Sequence, residues 1–319
     1  MTESEQLREQ HELELPTSAE GATLVAETTI WSDVDRRRRF AVPHRWRNPL
    51  GVVGAGIIGF TVFVAIFGPL IWTLDPNAPI YKALSPPTWS HPMGTDELGR
   101  DTLARIIHGA QVSLEVGISS VAIAVLLGGI LGILSGYAGG AVDATLMRAV
   151  DIMFALPGLI LAFVVVGLLG PSQTNATIAI GISIAPAFAR VLRGAVLETT
   201  ALPFIEAAHA LGAGHTRMVR KHVLPNILAP MIVLVTIYLA VAILTEAALS
   251  FLGLGTQLPE ASWGNMLNEA RGYVYQSVWM SIFPGAAIML VVLGFNFLGD
   301  GLRDVLDPRL VRRTGATGA

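Results

Sequence analysis

Few groups in this sequence are able to do chemistry, and they are scattered. Asp96, Glu97 and Asp101 stand close together, seven histidines are spread along the chain, and Glu115, Asp151 and Glu246 interrupt apolar stretches, with Arg190 near the end of one. A compact trio of acids suits a hard cation, and imidazole is a common ligand for softer metals. Neither pattern closes into a site. Thr95 reads as a helix N-cap with Asp96 and Glu97 in the first turn, and Arg100 is near enough to pair with them. His209, His215 and His222 share one polar segment that is better explained as a solvated docking surface. His91 and His108 belong to another polar segment, and His11 and His44 precede the first apolar stretch. No catalytic set converges. With no cysteine, a disulfide, a thiolate metal site and a thiol nucleophile are all excluded.

The elements that carry these residues are apolar throughout. Hydrophobic residues make up 52% of the 319 and charged residues only 14%, against about 25% charged in soluble domains. Such a chain requires lipid as part of its solvent. Runs long enough to cross about 30 Å of hydrocarbon fall at Leu50 to Trp72, Val112 to Tyr137, Ala149 to Gly170, Ala176 to Leu192, Ile227 to Phe251 and Val278 to Gly299. The first run, about 23 residues, exceeds the core of a cleaved signal peptide and has no small-residue cleavage pattern after it, so it is a retained anchor. Before it stand nine acidic residues between Glu3 and Asp35, read as a disordered tail over 1–35, and then the basic run Arg36 to Arg39 with Arg45 and Arg47.

Six spans put both termini on one side. The N-terminal segment, the 138–148 loop, the 190–226 segment and the tail after Gly301 hold seven, one, five and four basic residues, 17 of the 21 in the chain. By the positive-inside rule these parts, and both termini, are expected in the cytoplasm. The basic residues do not form the continuous face that nucleic acid requires, so nucleic acid is not an expected partner. Gly128, Gly132, Gly136 and Gly140 recur every four residues, a stripe for close helix packing. Pro157, Pro186 and Pro284 are expected to kink their spans. A proton- or sodium-coupled carrier needs internal repeats and charges near the midplane. Glu115 and Asp151 lie close to predicted span ends, which leaves Glu246 as the acid placed to face a translocation path, with a structural hydrogen-bonding role as the alternative.

The most informative segment runs from Phe204 to Asn226. Its first part is helical to Leu211, the residues Gly212 to Gly214 break the pattern, and Thr216 to Val223 form a second short helix that stops before Pro225. Two short helices around a glycine corner suit docking into a groove of another protein. The residues by themselves leave a plain re-entry loop as an equal alternative.

Glu206-Ala207-Ala208, Gly212, and Leu224-Pro225 after His222 resemble the EAA motif of permeases of ABC importers, the loop that couples them to ATPase subunits. The resemblance extends to His91-Pro92-Met93-Gly94-Thr95-Asp96-Glu97-Leu98-Gly99-Arg100-Asp101, to Leu249 through Gly255 with Ser262-Trp263-Gly264, and to Asn296 through Asp304. Together these are similar to the C-type permease subunit of dipeptide and oligopeptide importers, over about Arg36 to Arg309.

This resemblance implies an all-α integral membrane protein with the type I importer (MetI-like) transmembrane fold. An added N-terminal span and outer loop would occupy 36–111, a five-helix core 112–303 with its coupling loop at 204–225, and a cytoplasmic tail 304–319. It implies a homologous B-type permease partner, two cytoplasmic ATPases that hold ATP and Mg, an extracytoplasmic substrate-binding protein, and no cofactor on this chain. ATP-driven rocking of the spans would carry dipeptides or oligopeptides, with nickel chelates or haem as alternative cargo. Glu206, Ala207, Ala208, Gly212, Leu224 and Pro225 are the coupling residues it implies. Glu206 is expected to anchor the coupling helix, Gly212 to turn the corner and Pro225 to stop the second helix. Glu246 and Trp263 are the candidates for path or gate, with a membrane-interface anchor as the simpler role for Trp263. The sequence contains no G-x-x-x-x-G-K-S/T phosphate loop, and its two lysines, Lys82 and Lys221, lie in no glycine-rich stretch. A single-chain secondary carrier is the competing reading.

Overall fold

The computed structural model describes residues 49–306. The acidic tail, the basic run before the first span and the last residues of the chain lie outside this range. The described chain is built on helices: α1 Pro49–Ile71, α2 Thr102–Ala138, α3 Gly140–Phe154, α4 Gly158–Leu169, α5 Gln173–Thr200, α6 Pro203–Ala210, α7 His215–Met218, α8 Leu224–Phe251, α9 Trp263–Ala270 and α10 Trp279–Leu306. Five stretches among them are long and apolar enough to cross a membrane, and the pair α3 and α4 makes a sixth if counted as one bent span. Helices suit this setting because they satisfy their own backbone polar groups where no water can.

The expected third span over Ala149 to Gly170 needs correction. The chain bends by 88° between α3 and α4, and α3 begins nine residues earlier than expected, at Gly140. Pro157 is the cause: it is the N-cap of α4 at φ −54° and ψ 136°, an extended geometry that ends one helix and starts the next. Pro186 and Pro284, by contrast, lie inside α5 and α10 without dividing them.

The centre of the molecule is the seam between α2 and α5. A methyl group added at Gly132 would lie 2.5 Å from the Ala189 carbonyl oxygen, and one at Gly136 would lie 2.9 Å from that of Arg193. Gly128 makes the same approach to Ala185. The stripe is therefore a packing surface, in which backbone meets backbone at four-residue steps on both helices. Gly140 does not join it and instead opens α3 at φ 54°. Phe188, Leu192 and Ile180 of α5 are fully buried along this seam. The N-terminal helix is added in the same manner, with Gly51 against Gly301 and Gly54 against Leu298 of α10.

On the side of α9, a layer of buried charge fixes the linker between α1 and α2. The expected cap at Thr95 is replaced by one at Asp101, whose Oδ1 accepts the Ala104 amide at 2.8 Å and the Trp72 indole N–H at 3.2 Å. A helix cannot run from Thr95 through Gly99, which has φ 80°. Thr95 instead donates to the Lys82 carbonyl and accepts the Ser85 amide. Asp96 accepts the amides of Leu98 and Arg100, each at 2.9 Å. Arg100 reaches Asp96 at 2.5 Å, Glu97 at 3.1 Å and Glu269 at 2.8 Å, while Arg105 holds the other oxygen of Glu269 at 2.9 Å. Burial holds the Glu97 carboxyl above the usual carboxylate range. Asp96, Glu97 and Glu269 are thus partners of two arginines and tie the start of α2 to the end of α9, while Asp101 serves as the helix cap.

Two outcomes follow for stability. Gly132→Leu should destabilise the protein by about 2 to 3 kcal/mol through overpacking, seen as a lower thermal midpoint in detergent. Gly129→Ala, whose added carbon would meet only Leu192 at 3.8 Å, should leave that midpoint unchanged. Glu269→Ala removes the 2.9 Å partner of buried Arg105, leaving it Asp96 at 3.6 Å and the Pro76 carbonyl at 3.4 Å, and should cost about 3 kcal/mol. Because the pair is shielded from solvent, added salt should not reproduce this loss in the unmodified protein.

Candidate functional site

The Phe204–Asn226 segment folds as an exposed hairpin at the end of the bundle opposite α9. Pro203 occupies the first turn of α6, where its missing N–H costs nothing. The helix ends on two bonds, Ala213 N–H to the Ala208 carbonyl at 3.0 Å and Gly212 N–H to the His209 carbonyl at 2.9 Å. That pairing needs a left-handed residue at position 212, and Gly212 has φ 80°. An added side-chain carbon there would meet nothing within 4 Å, so the demand for glycine comes from the backbone alone. Glu206 lies in the first turn of α6, where a carboxylate favours the positive end of the helix dipole. Glu206, Ala207 and Leu211 are exposed, and Ala208 is half-buried.

The hairpin is seated by apolar contacts beneath and aromatic contacts around it. Ile205, Met218 and Val223 are buried. The Tyr137 hydroxyl, at the end of α2, lies 3.0 Å from His215 Nδ1, and the rings of Phe204 and His222 are 6.2 Å apart. The expected stop before Pro225 does not occur. Residues 219–223 form one wide π turn that runs straight into α8, with Leu224 N–H bonded to the Val219 carbonyl. The widened turn precedes Pro225, whose ring would otherwise meet the carbonyl of Lys221. Leu224 and Pro225 are exposed at this junction, where the hairpin runs without a break into α8.

At the other end, Glu246 is 1% exposed. Its Oε1 accepts the Ser250 hydroxyl at 2.7 Å and its Oε2 accepts that of Ser113 at 3.3 Å, and Ser262 hydrogen-bonds to it as well. Ser250 Oγ in turn accepts the Thr256 amide. The carboxyl group therefore joins α2, α8 and the start of α9, and it is closed off from any open path in this conformation. Trp263 is also internal, 2% exposed, with its indole N–H donating to the Ile106 carbonyl at 3.1 Å. It fills the space left by Gly109, where an added carbon would lie 2.8 Å from the ring. The indole is in the protein core, not at a lipid surface. Ser262 caps α9 through a reciprocal pair with Asn265, and Gly264 lets that helix approach Ala247.

Three arrangements escaped the sequence. The Tyr137–His215 contact joins residues 78 apart, and no local pattern signals it. Glu115 stands well inside α2, which begins at Thr102, and Asp151 lies in the last turn of α3, at the bend rather than at the start of a span. Two Asp–Arg pairs between α3 and α5, Asp143 with Arg193 and Asp151 with Arg190, appear only once those helices are placed side by side.

Comparison with known proteins places this architecture. Residues 128–312 match the family model described as binding-protein-dependent transport system inner membrane component, and residues 32–87 match that of the N-terminal TM domain of oligopeptide transport permease C. The chain is 44% identical over 269 residues to the dipeptide transport system permease protein DppC of Alkalihalophilus pseudofirmus, covering 83% of this chain and 87% of that one. It is 43% identical to the probable D,D-dipeptide transport system permease protein DdpC of Escherichia coli K12, over 82% of this chain and 88% of that one. With the di/tripeptide transport system permease protein DppC of Pseudomonas aeruginosa the identity is 45%, over 78% and 84%. Among solved structures, an inward-facing MetNI methionine ABC transporter superposes with a TM-score of 0.54 at 21% identity, covering 64% of this chain and 96% of the other, which extends the likeness to the fold. The chain is a multi-pass membrane protein, and it belongs to the family of binding-protein-dependent transport system inner membrane components, the permeases of ABC importers.

Proposed function

We propose that this chain is the C-type permease subunit of an ATP-driven importer of dipeptides or oligopeptides. It would form half of the translocation path beside a homologous permease. Two cytoplasmic ATPases would grip the α6–α7 hairpin and its counterpart, holding ATP and Mg on their own residues, and an extracytoplasmic binding protein would deliver the peptide. Both termini and the hairpin then lie in the cytoplasm, in agreement with the distribution of basic residues. The absence of a phosphate loop from the sequence fits a chain that leaves hydrolysis to its partners.

One observation carries the coupling role: the hairpin is exposed on one face, anchored on the other, and continuous with α8 through the π turn. A push on α6 is transmitted because the corner at Gly212 is defined by two hydrogen bonds rather than by a loose loop. Glu206, Ala207 and Ala208 would provide the surface for the ATPase, with small side chains allowing close approach. Leu224 and Pro225 would pass the movement into the span.

Gly212→Val forces a β-branched residue into the left-handed region at a cost of about 1 to 2 kcal/mol. Peptide uptake by reconstituted complex should fall by about tenfold, the equivalent of 1.4 kcal/mol, with ATPase activity retained. Gly212→Asn, better tolerated at positive φ, should fall less, and normal uptake by the valine variant would remove the corner from the mechanism. Purification of the tagged chain from its membrane in mild detergent should recover a second permease and P-loop ATPases. A chain that emerges alone and moves solute without ATP would instead be a secondary carrier.

A further inference from the structure

Asp151 and Arg190 form an ion pair with an N–O distance of 2.8 Å, and their side chains are 58% and 54% exposed. Its depth makes that exposure informative. Helix α5 has 28 residues, about 42 Å at 1.5 Å per residue, against a hydrocarbon layer of about 30 Å. Arg190 stands ten residues before Thr200, the last of the helix. Centring α5 in the layer puts its Cα about 9 Å inside the nearer hydrocarbon boundary.

An arginine at that depth facing lipid would turn its guanidinium toward the nearer headgroups. Arg190 does not. Its guanidinium carbon lies 4.1 Å from the centre of the Phe154 ring, and Phe154 is the last residue of α3, three positions beyond Asp151 in the direction away from the α6 end. The side chain thus lies against the end of α3, beside the bend. There Gly158, the first residue of α4, is spaced from α5 so that an added carbon would come no nearer than 4.0 Å, at the Ser183 carbonyl.

The neighbouring pair shows what a purely structural version looks like. Asp143 and Arg193 are joined by two bonds of 2.6 Å, and Ser135 of α2 closes the remaining side by donating to Asp143. Their side chains are 19% and 33% exposed. Asp151 and Arg190 share one bond and leave the rest of both groups open. Exposed charge within a membrane is stable only against water or another polar surface, and such residues line solute paths.

We propose that Asp151 and Arg190, seated on Phe154, line the water-filled path and give a charged or zwitterionic solute a polar contact within the membrane. A carboxylate and a guanidinium side by side offer complementary partners to the free amino and carboxyl ends of such a solute. This assignment rests on the transport function proposed above.

The native chain has no cysteine, so label read on this chain, once it is separated from its partners, reports the surroundings of a single introduced thiol. Asp151→Cys and Arg190→Cys, each in the assembled complex in vesicles, should react with a charged, membrane-impermeant methanethiosulfonate. The rate should change by about tenfold or more between nucleotide-free and ATP–vanadate-trapped states, as the water-exposed population shifts. Phe154→Cys retains the ion pair and carries the same expectation should the charge-removing variants fail to assemble. Absence of labelling in both states, or equal labelling in both, overturns the assignment. If the unmodified complex takes up a dipeptide while the thiols behave in either of those ways, this assignment alone is wrong. If the unmodified complex takes up no dipeptide, the transport function is wrong instead.

Discussion

Helices in hydrocarbon gain nothing by burying leucine against leucine, since lipid is equally apolar; association depends on close backbone contact and on polar bonds. In this chain the requirement is met first at the seam of α2 and α5, where Gly128, Gly132 and Gly136 meet the carbonyl side of Ala185, Ala189 and Arg193. The other spans are placed relative to that pair. Gly181 lets α5 approach Ile123, and Gly117 lets Ile243 of α8 fit against α2. Because glycine contacts tolerate no extra atom, the seam behaves as one rigid body, which can transmit a displacement from one end to the other.

Polar bonds do the corresponding work at the end that holds α9. Glu269 holds Arg100 and Arg105 together, Asp101 starts α2 and takes the Trp72 indole, and Glu246 gathers hydroxyl groups from neighbouring elements. Buried charge is costly unless paired, and here the pairs also fix the position of α9. The opposite end is built differently. The hairpin carrying Glu206 and Gly212 rests on a few apolar side chains and one Tyr–His contact, with its outer face open. The end with the network of buried charge is held by many shielded bonds, while the end that meets an ATPase in the proposed function exposes its surface.

The bend at Pro157 separates two uses of the same kind of bond. Asp143 and Arg193 are covered and doubly bonded, a brace between α3 and α5. Asp151 and Arg190, about two turns further along α3, stand beside the bend and are exposed.

The sequence by itself determined the membrane class, five of the six spans, the glycine stripe and the glycine corner, because each is a local property: apolar length, four-residue spacing, or a residue type tied to a backbone angle. Its errors came where partners are distant in the chain. Thr95 looks like a cap until Gly99, at φ 80°, bars a helix and Asp101 takes the role, its carboxylate held as well by the Trp72 indole 29 residues away. Asp151 looks like a span-end charge until α3 is seen to begin at Gly140 and to turn at Pro157. Pro225 looks like a stop until a π turn absorbs it. Trp263 looks like an interface anchor until Gly109 makes room for it in the core. Only the tertiary structure decided which acids are braces, which is sealed among serines and which is open, since burial and pairing are set by helices that meet across the bundle rather than by neighbours along the chain.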